Sequence, residues 1–188
     1  MGYYLLNAQI DELLISTVRP IILAIDGDCA AGKSTLAVHL AKTYAATVIP
    51  MDAFFLRPEQ RTAARLAEPG GNIDYERFKT EVLIPLVANK PFTYRPYDCQ
   101  TADFAPEITI LPNRLHIIEG TYSLHPTLVD AYHLKLFLGI SSDEQLCRIA
   151  ARNGDAMLER FRDEWIPMEK CYFSHFGIKK QCDFVFEI

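Results

Sequence analysis

The sequence predicts an α/β fold, with helices on both faces of a five-stranded parallel sheet in three layers (α/β/α). The first observation is a set of five short apolar runs, which are typical of parallel strands buried on both faces. The second is the helix-like segments between these runs, because alternating strands and helices favour parallel pairing. The third is composition: 188 residues, 49% of them hydrophobic, suffice for one domain with its own core. We therefore expect a single domain over residues 1–188.

The predicted elements follow from hydrophobic spacing and from the positions of Pro and Gly. Ile10, Leu13 and Leu14 lie on one face at helical spacing, which predicts a short first helix. Residues 69–71 (Pro-Gly-Gly) break the chain before the third helix. Four prolines among β-forming residues in 91–112 predict an excursion or hairpin. The helices are expected over residues 8–17, 32–44, 74–89, 143–153 and 156–173. The strands are expected over residues 21–26, 47–51, 115–118, 135–140 and 183–187.

A phosphate-binding loop is the most specific motif in the chain. Its residues match the pattern G-x-x-x-x-G-K-[ST] at every fixed position: Gly27, Asp28, Cys29, Ala30, Ala31, Gly32, Lys33 and Ser34. Glycines let backbone N–H groups turn inward toward a phosphate, and the lysine carries positive charge to the β- and γ-phosphates. The Ser34 hydroxyl is a hard oxygen ligand suited to Mg²⁺, and the helix from Thr35 onward directs its positive end at the same anion. We expect this segment to bind the phosphates of ATP.

Other classes of protein fit the sequence less well. A dinucleotide-binding site would place an acid near Asp52, but the chain contains no G-x-G-x-x-G. The net charge of −5, without a long run of one sign, argues against sequence-independent nucleic-acid binding. No apolar stretch reaches 18 residues, so no membrane span is expected. Five cysteines without a C-x-x-C pair, and no secretory signal pattern, favour a cytoplasmic protein with reduced thiols.

Two acids lie at the carboxyl ends of predicted strands. Asp52 follows the second strand and Glu119 ends the third. In a parallel sheet these ends meet at one edge, so both side chains should face the crevice that holds the phosphate loop. Asp52 is the candidate base for a hydroxyl acceptor and a neighbour of the metal, and Glu119 is a candidate Mg²⁺ ligand beside Ser34. The alternatives are an Asp that caps a turn and a strand-end Glu bonded to a nearby loop.

Arginines cluster late in the chain. Arg148 and Arg152 are four residues apart and share a helix face. We expect residues 143–173 to form a helical lid in which these two arginines bind the nucleotide and stabilise the charge of the transferred group. A solvated face paired with nearby acids is the alternative; function is favoured for Arg152, and for Arg148, Arg160 and Arg162 the two interpretations are equal.

The segment 53–111 has the size of an acceptor-binding insertion. Five aromatic residues of this segment flank the proposed acceptor site and could stack on a planar base, although core packing explains them equally well: Phe54, Phe55, Tyr75, Tyr94 and Tyr97. The five histidines show no metal-ligand spacing and are expected to be structural. Cys29 lies inside the loop of N–H groups, which could favour a reactive thiolate; a small residue tolerated there is the plainer interpretation.

The chain resembles the uridine kinase-like branch of the P-loop kinases. The resemblance covers residues from about 18 onward, and the matching segments keep that group's order: GDCAAGKST, MDAFF, GGNIDYERF, RPYD, IIEG, RIAAR, EWIPMEKCYF and CDFVFEI. It implies the P-loop kinase fold and ATP-dependent phosphorylation of a nucleoside 5′-hydroxyl. By motif match, Asp52 takes the place of the catalytic base, Asp74 that of an acid that holds the ribose hydroxyls, and Arg152 falls in the lid.

These observations together predict a kinase that uses MgATP and a small hydroxylated acceptor, with uridine or cytidine as the model. Asp52, Phe55, Asp74, Tyr75 and Tyr97 are the expected acceptor-binding residues, and homo-oligomerisation is left open. The group usually has His and Arg after the Tyr-Asp step, where this chain has Cys99 and Gln100, which points away from uridine itself. The alternatives are a nucleotide-binding regulator or NTPase, and a kinase for a non-nucleoside alcohol such as pantothenate or a sugar.

Overall fold

The strands form one central sheet and two small antiparallel ones within residues 3–188, the part of the chain that this computed structural model describes. The strands are β1 (Ile21–Gly27), β2 (Thr47–Pro50), β3 (Phe92–Tyr94), β4 (Tyr97–Asp98), β5 (Asp103–Phe104), β6 (Ile108–Ile110), β7 (Leu115–Glu119), β8 (Leu134–Gly139) and β9 (Phe184–Glu187). The helices are α1 (Tyr4–Ser16), α2 (Lys33–Tyr44), α3 (Ala63–Ala67), α4 (Tyr75–Phe78), α5 (Ile84–Val87), α6 (Ser142–Asn153), α7 (Asp155–Arg160) and α8 (Ile166–Phe176). Two π-helical segments, Lys79–Leu83 and Phe161–Trp165, connect α4 to α5 and α7 to α8.

The central sheet has the strand order β2-β7-β1-β8-β9, and every pair in it is parallel. This confirms the predicted five-stranded parallel sheet, and each strand lies within one residue of its predicted bounds. The first strand is in the middle, so the loop that follows it has a neighbouring strand on each side. The sheet therefore presents the phosphate loop at the centre of one edge.

Strand register brings the candidate site together. Glu119, the last residue of β7, is level with Ile25 of β1 and with Pro50 of β2. The chain then runs two residues past Ile25 into the phosphate loop and two residues past Pro50 to Asp52. Because the three strands end at the same height, their following residues converge above one edge of the sheet.

The core lies on both faces of the central sheet, because alternate residues of a strand point to opposite faces. Ile21, Leu23 and Ile25 pack with residues of α1 and α2. Ile22 and Ala24 pack on the other face, in a cluster that includes Phe78 of α4 and Tyr172 of α8, among others. Helices therefore cover both faces, which confirms the three-layer arrangement.

Two helices differ from their predicted bounds for physical reasons, and the excursion at 91–112 is present. Helix α1 begins at Tyr4 rather than at residue 8, because Leu6 extends the buried face of Ile10 by one turn. The excursion at 91–112 is confirmed as a hairpin, whose two arms pair over two short antiparallel stretches, β3 with β6 and, nested inside, β4 with β5. Helix α8 continues to Phe176 and ends at Gly177 (φ +60°), a left-handed position that stops the helix. Among residues 3–188, the helices lack the length and apolarity to cross a bilayer.

Candidate active site

A cavity of about 760 Å³ opens at the carboxyl edge of the central sheet. Four parts of the chain line it: the phosphate loop, the residues after β2 and β7, the segment from Phe55 to Gln100, and helices α6 to α8. Its volume is within the range of small-molecule sites, roughly 300–1,000 Å³. The structure therefore brings the motif and both strand-end acids into one cleft.

The phosphate loop turns through three residues in left-handed conformations. Gly27 has φ +133°, and a Cβ there would lie 2.0 Å from the carbonyl oxygen of Leu138, so the position requires glycine. Ala30 (φ 63°) and Gly32 (φ 91°) complete the turn before α2 begins at Lys33. Left-handed residues within such a turn direct successive N–H groups to one side, which forms an anion-binding concavity.

Lys33 is buried against the loop that it follows. Its ammonium Nζ donates to the carbonyl oxygens of Gly27 and Asp28, both at 2.8 Å, and to Thr121 Oγ1 at 3.1 Å. Thr121 in turn donates to the Gly27 carbonyl at 3.0 Å. The ammonium is thus held by neutral oxygens, and its charge is available to an anion in the loop.

Ser34 and Glu119 form a direct contact. The Ser34 hydroxyl donates to Glu119 Oε2 at 3.0 Å. Burial raises the pKa of Glu119 and the charge of Asp52 raises it further, while the Ser34 hydrogen bond and Lys33 lower it. Within residues 3–188, no group of three or more His, Cys, Asp or Glu forms a metal-binding cluster. The Ser34 hydroxyl and the Glu119 carboxylate are donors that fit Mg²⁺, which takes few protein oxygens and completes its shell with phosphates and water.

Asp52 lies on the floor of the cavity, in a short 3₁₀ turn (Met51–Phe54) after β2. Its carboxylate is open to the cavity, yet protein surrounds it on the other sides. This partial burial raises its pKa, and the charges of Lys33 and Arg152 lower it. The close approach of two strand ends depends on Gly120 (φ +134°), where a Cβ would lie 3.0 Å from Met51 Cβ and 3.4 Å from Asp52 Oδ1.

Three arginines reach the cavity from the helices after β8. Arg148 donates to the Ala30 carbonyl at 3.3 Å and pairs with Glu144 at 2.8 Å. Arg152, whose Nε donates to Asn153 Oδ1, has no carboxylate partner among residues 3–188 and acts electrostatically on Asp52. Arg160 also lines the cavity and pairs with Glu164, whereas Arg162 pairs with Asp163 and does not line it.

The expected acceptor-binding residues divide into two groups. Asp52 and Phe55 line the cavity, and Asp74, Tyr75 and Tyr97 do not. Asp74 is buried: Oδ1 accepts the Arg77 N–H at 3.0 Å, capping α4, and Oδ2 accepts from Gln60 Nε2 at 2.7 Å. The roles of these three residues in acceptor binding stay predictions of the resemblance.

The two tyrosines of this group are held by other parts of the fold. The Tyr75 ring stacks on His125 with centroids 4.0 Å apart, and its hydroxyl accepts from Arg65 at 2.8 Å. Tyr97 is buried and meets Phe104 edge to face. Core packing, one of the two interpretations open at the sequence level, thus describes their observed contacts.

Glu169 was not anticipated as part of the site. This buried residue of α8 lines the cavity, and its Oε2 accepts the Cys29 N–H of the phosphate loop at 3.1 Å. Burial raises its pKa to about 7, although Lys33 and the Cys29 N–H favour the charged form. The sequence signal was weak, because a single Glu in a helix is usually solvated.

Cys29 is surrounded by groups that keep its thiol neutral. Burial raises its pKa to about 12, and the charge of Glu169 adds to the effect. Gln145 Nε2 donates to the Cys29 carbonyl at 3.1 Å and lies 3.2 Å from its sulfur. The structure therefore favours a small residue packed into the loop over a reactive thiolate.

Asp26, near the end of β1, holds parts of the site together through buried hydrogen bonds. It is fully buried; Oδ1 accepts the N–H groups of Gly27 (2.7 Å) and Tyr122 (3.1 Å). Oδ2 accepts the Leu124 N–H and the Tyr172 hydroxyl, both at 2.9 Å. Burial raises its pKa to about 6 despite these bonds. One carboxyl group thus joins the phosphate loop, the turn after β7 and α8.

Arg61 is the second unanticipated charge in the cavity wall. Its Nε donates to the Leu56 carbonyl at 2.9 Å, and one Nη lies 3.9 Å from Cys99 Sγ. No carboxylate among residues 3–188 forms an ion pair with it. The polar, irregular sequence of residues 57–73 gave no indication that one of its arginines faces the cleft.

Comparisons with known proteins identify similar structures. No family model matches this chain. A possible uridine kinase from Bacillus stearothermophilus has a TM-score of 0.71 at 20% identity, over 96% of this chain and 98% of that one. A provisionally assigned fructose transport system kinase from Silicibacter sp. TM1040 has a TM-score of 0.74 at 20% identity, over 99% of both chains. The D-glycerate 3-kinase of Cryptococcus neoformans var. grubii has a TM-score of 0.68 at 14% identity, over 97% of this chain and 92% of that one.

At these identities the similarity establishes the fold. It extends over nearly the whole of each chain, so the match includes the insertion and the late helices as well as the sheet. The three proteins are described as kinases of different acceptors, which is in keeping with one fold that serves several substrates. The chain thus has the fold of P-loop kinase structures, with a phosphate loop, two strand-end acids and four arginines around one cleft.

Proposed function

We propose that this protein is a kinase that transfers the γ-phosphoryl group of MgATP to a hydroxyl group of a small molecule. The observation that carries the proposal is the placement of Asp52: an accessible carboxylate on the floor of the cavity that Lys33 and Ser34 also line. Phosphoryl transfer needs an anion cradle, a metal and a group that accepts the acceptor's proton. The cavity holds residues suited to each need.

The proposed roles follow from the contacts. The N–H groups of residues 27–35 and Lys33 bind the phosphates, and Ser34, with Glu119 and Asp52 nearby, would hold Mg²⁺. When bound, the metal neutralises charge on the β- and γ-phosphates. Arg148 and Arg152 face the same space, and Arg152 is the more available because no carboxylate pairs with it.

The reaction balances as follows. The acceptor oxygen forms a bond to the γ-phosphorus, and the bond from that phosphorus to the oxygen bridging it to the β-phosphate breaks. The electron pair leaves with ADP. Asp52 takes the hydroxyl proton, and its raised pKa makes it a better base than an ordinary Asp. The products are ADP and a phosphate monoester.

A nucleoside of the uridine or cytidine type is the acceptor that the sequence resemblance suggests. The similarity to a possible uridine kinase supports it, and the other two similar structures support a sugar or glycerate equally. The placement of Asp74 counts against a ribose, because this residue is buried and does not line the cavity. We therefore place the function at the level of an alcohol phosphotransferase.

The experiment that tests the proposal is ADP release with MgATP and a panel of acceptors, with the phosphorylated product identified by mass spectrometry. The panel contains uridine, cytidine, nicotinamide riboside, pantothenate, D-glycerate, fructose and glycerol. We expect at least one acceptor to raise ADP release well above the acceptor-free rate and to appear as its monophosphate. ATP hydrolysis at the same rate with every acceptor, and no phosphorylated product, would instead indicate an NTPase or a regulator.

A further inference from the structure

The part of the cavity wall formed by residues 55–100 contains a cation that the nucleotide site does not use. Residues 55–100 contribute one cation and no acid to it: Phe55, Arg61, Leu66, Asn72, Cys99 and Gln100. Protein sites commonly bind the hydroxyl groups of a ribose with a carboxylate. This wall offers none, so its chemistry differs from that of a ribose site.

Arg61 lines the cavity, and two contacts hold its side chain. The Leu56 carbonyl accepts from its Nε at 2.9 Å, and the Cys99 sulfur lies 3.9 Å from one Nη on the far side. These contacts leave most of the planar N–H fork without a partner among residues 3–188. Such a fork matches the two oxygens of a carboxylate or a phosphate group.

The other cations of the cavity belong to the proposed nucleotide site and to the helices after β8. Lys33 contacts the phosphate loop, Arg148 pairs with Glu144, and Arg160 pairs with Glu164. Arg152 acts on Asp52 from the helical side. Arg61 is therefore the cation that the proposed nucleotide site does not account for.

Arg61 and Asp52 line the same cavity, and both act on Cys99. Burial raises the pKa of the Cys99 thiol, and the charges of Arg61 and Asp52 then act on that thiol in opposite directions. Both charged groups are thus within electrostatic reach of Cys99, and all three residues line the cavity. A molecule in that space can present a hydroxyl to Asp52 and another group to Arg61.

We infer that the acceptor carries an anionic group, a carboxylate or a phosphate, which Arg61 binds while Asp52 receives the hydroxyl proton. This inference rests on the proposed kinase function and narrows its substrate class to hydroxy acids and phosphorylated alcohols or sugars. Arg61 is a specificity-determining residue, because it selects acceptors by charge.

Matched pairs of acceptors test the charge requirement. Each pair compares an anionic compound with a neutral relative: D-glycerate with glycerol, pantothenate with panthenol, and fructose 1-phosphate with fructose. Uridine is a further neutral acceptor. We expect kcat/KM for the best anionic acceptor to exceed that of its neutral partner by at least about tenfold. The first two pairs report on a carboxylate and the third on a phosphate.

Arg61→Gln separates charge recognition from catalysis. We expect KM for the best anionic acceptor to rise about 10- to 100-fold, with kcat and the KM for ATP changed less than about threefold. Arg61→Lys keeps the charge without the fork and should recover part of the lost affinity. Arg57→Gln is the matched control, because Arg57 lies in the same segment, pairs with Glu59 and does not line the cavity. Thermal unfolding of each variant shows that it is folded.

The outcomes distinguish this inference from the proposed function. Efficient turnover of uridine, fructose or glycerol, with an unchanged KM in Arg61→Gln, would overturn the anionic acceptor and leave the kinase intact. Wild-type protein that hydrolyses ATP without phosphorylating any acceptor would overturn the kinase, and the acceptor inference with it. Equal losses in Arg61→Gln and Arg57→Gln would show a general effect of charge in this segment and would also overturn the role of Arg61.

Discussion

Glu169 makes the stability of the protein depend on pH. In the folded protein its pKa is raised from 4.5 to about 7, with burial as the main cause. The charged groups that act on it are Lys33, which favours the carboxylate, and Asp28, which opposes it. Between pH 4.5 and 7 the folded state binds the proton more tightly than the unfolded chain. Its contribution to stability is therefore full at low pH and is lost as pH rises through about 7.

The magnitude follows from the same values. A carboxyl pKa raised from 4.5 to about 7 corresponds to about 3 kcal/mol of folding free energy lost between these limits. Glu169→Gln removes the titration and keeps an oxygen that can accept the Cys29 N–H. We expect the free energy of unfolding of the variant, relative to wild type, to rise by about 3 kcal/mol from pH 4.5 to pH 7.5.

Urea unfolding at half-unit pH intervals measures this difference directly. Subtracting wild type from the variant cancels the titration of other groups, including Asp26, whose pKa is also raised by burial. Glu164→Gln is a suitable control, because Glu164 is exposed and pairs with Arg160. If the difference in unfolding free energy between Glu169→Gln and wild type does not change with pH over this range, the pKa of Glu169 is not raised in the folded protein.

Three further predictions concern the phosphate loop and the capping acid. Lys33→Ala should lower acceptor-dependent ADP release at least about 100-fold without unfolding the protein, because it removes the charge nearest the phosphates; activity near wild type would contradict the role. Gly27→Ala should destabilise the protein by roughly 3 kcal/mol or more, since its Cβ would lie 2.0 Å from the Leu138 carbonyl oxygen. Gly32→Ala should cost about 1–2 kcal/mol, because the space around that position is open and only its left-handed backbone disfavours Ala. Equal losses of stability in the two variants would contradict the clash at Gly27. Asp74→Ala should lower stability by about 1 kcal/mol with the acceptor KM unchanged, as expected of a helix cap; a raised KM at unchanged stability would instead support the ribose role.

The sheet and the phosphate loop could be predicted because their signals are local. Apolar runs bounded by polar residues marked all five strands, and the fixed positions of residues 27–34 identified the loop. The parallel arrangement then placed Asp52 and Glu119 at one edge, where the structure has them. The rule that parallel strands end at a common edge was enough for that step.

The wall of the cavity could not be predicted in the same way. Asp74 and Arg61 both lie in polar sequence near the insertion's turns, yet one is buried as a helix cap and the other faces the cleft. Glu169 reaches the phosphate loop across 140 residues of sequence. These side-chain directions are set by long-range packing, and no spacing rule encodes them.

The kinase function and the role of Asp52 are tested most directly by measuring phosphoryl transfer from γ-labelled ATP to the best acceptor of the panel, with wild type and Asp52→Asn. We expect a labelled phosphate monoester from wild type. In the variant we expect kcat to fall by about 10²–10⁴-fold, while the Kd for ATP stays within about threefold of the wild-type value. A variant with full kcat would show that Asp52 does not take the proton. Label that goes only to inorganic phosphate in wild type would contradict the kinase itself.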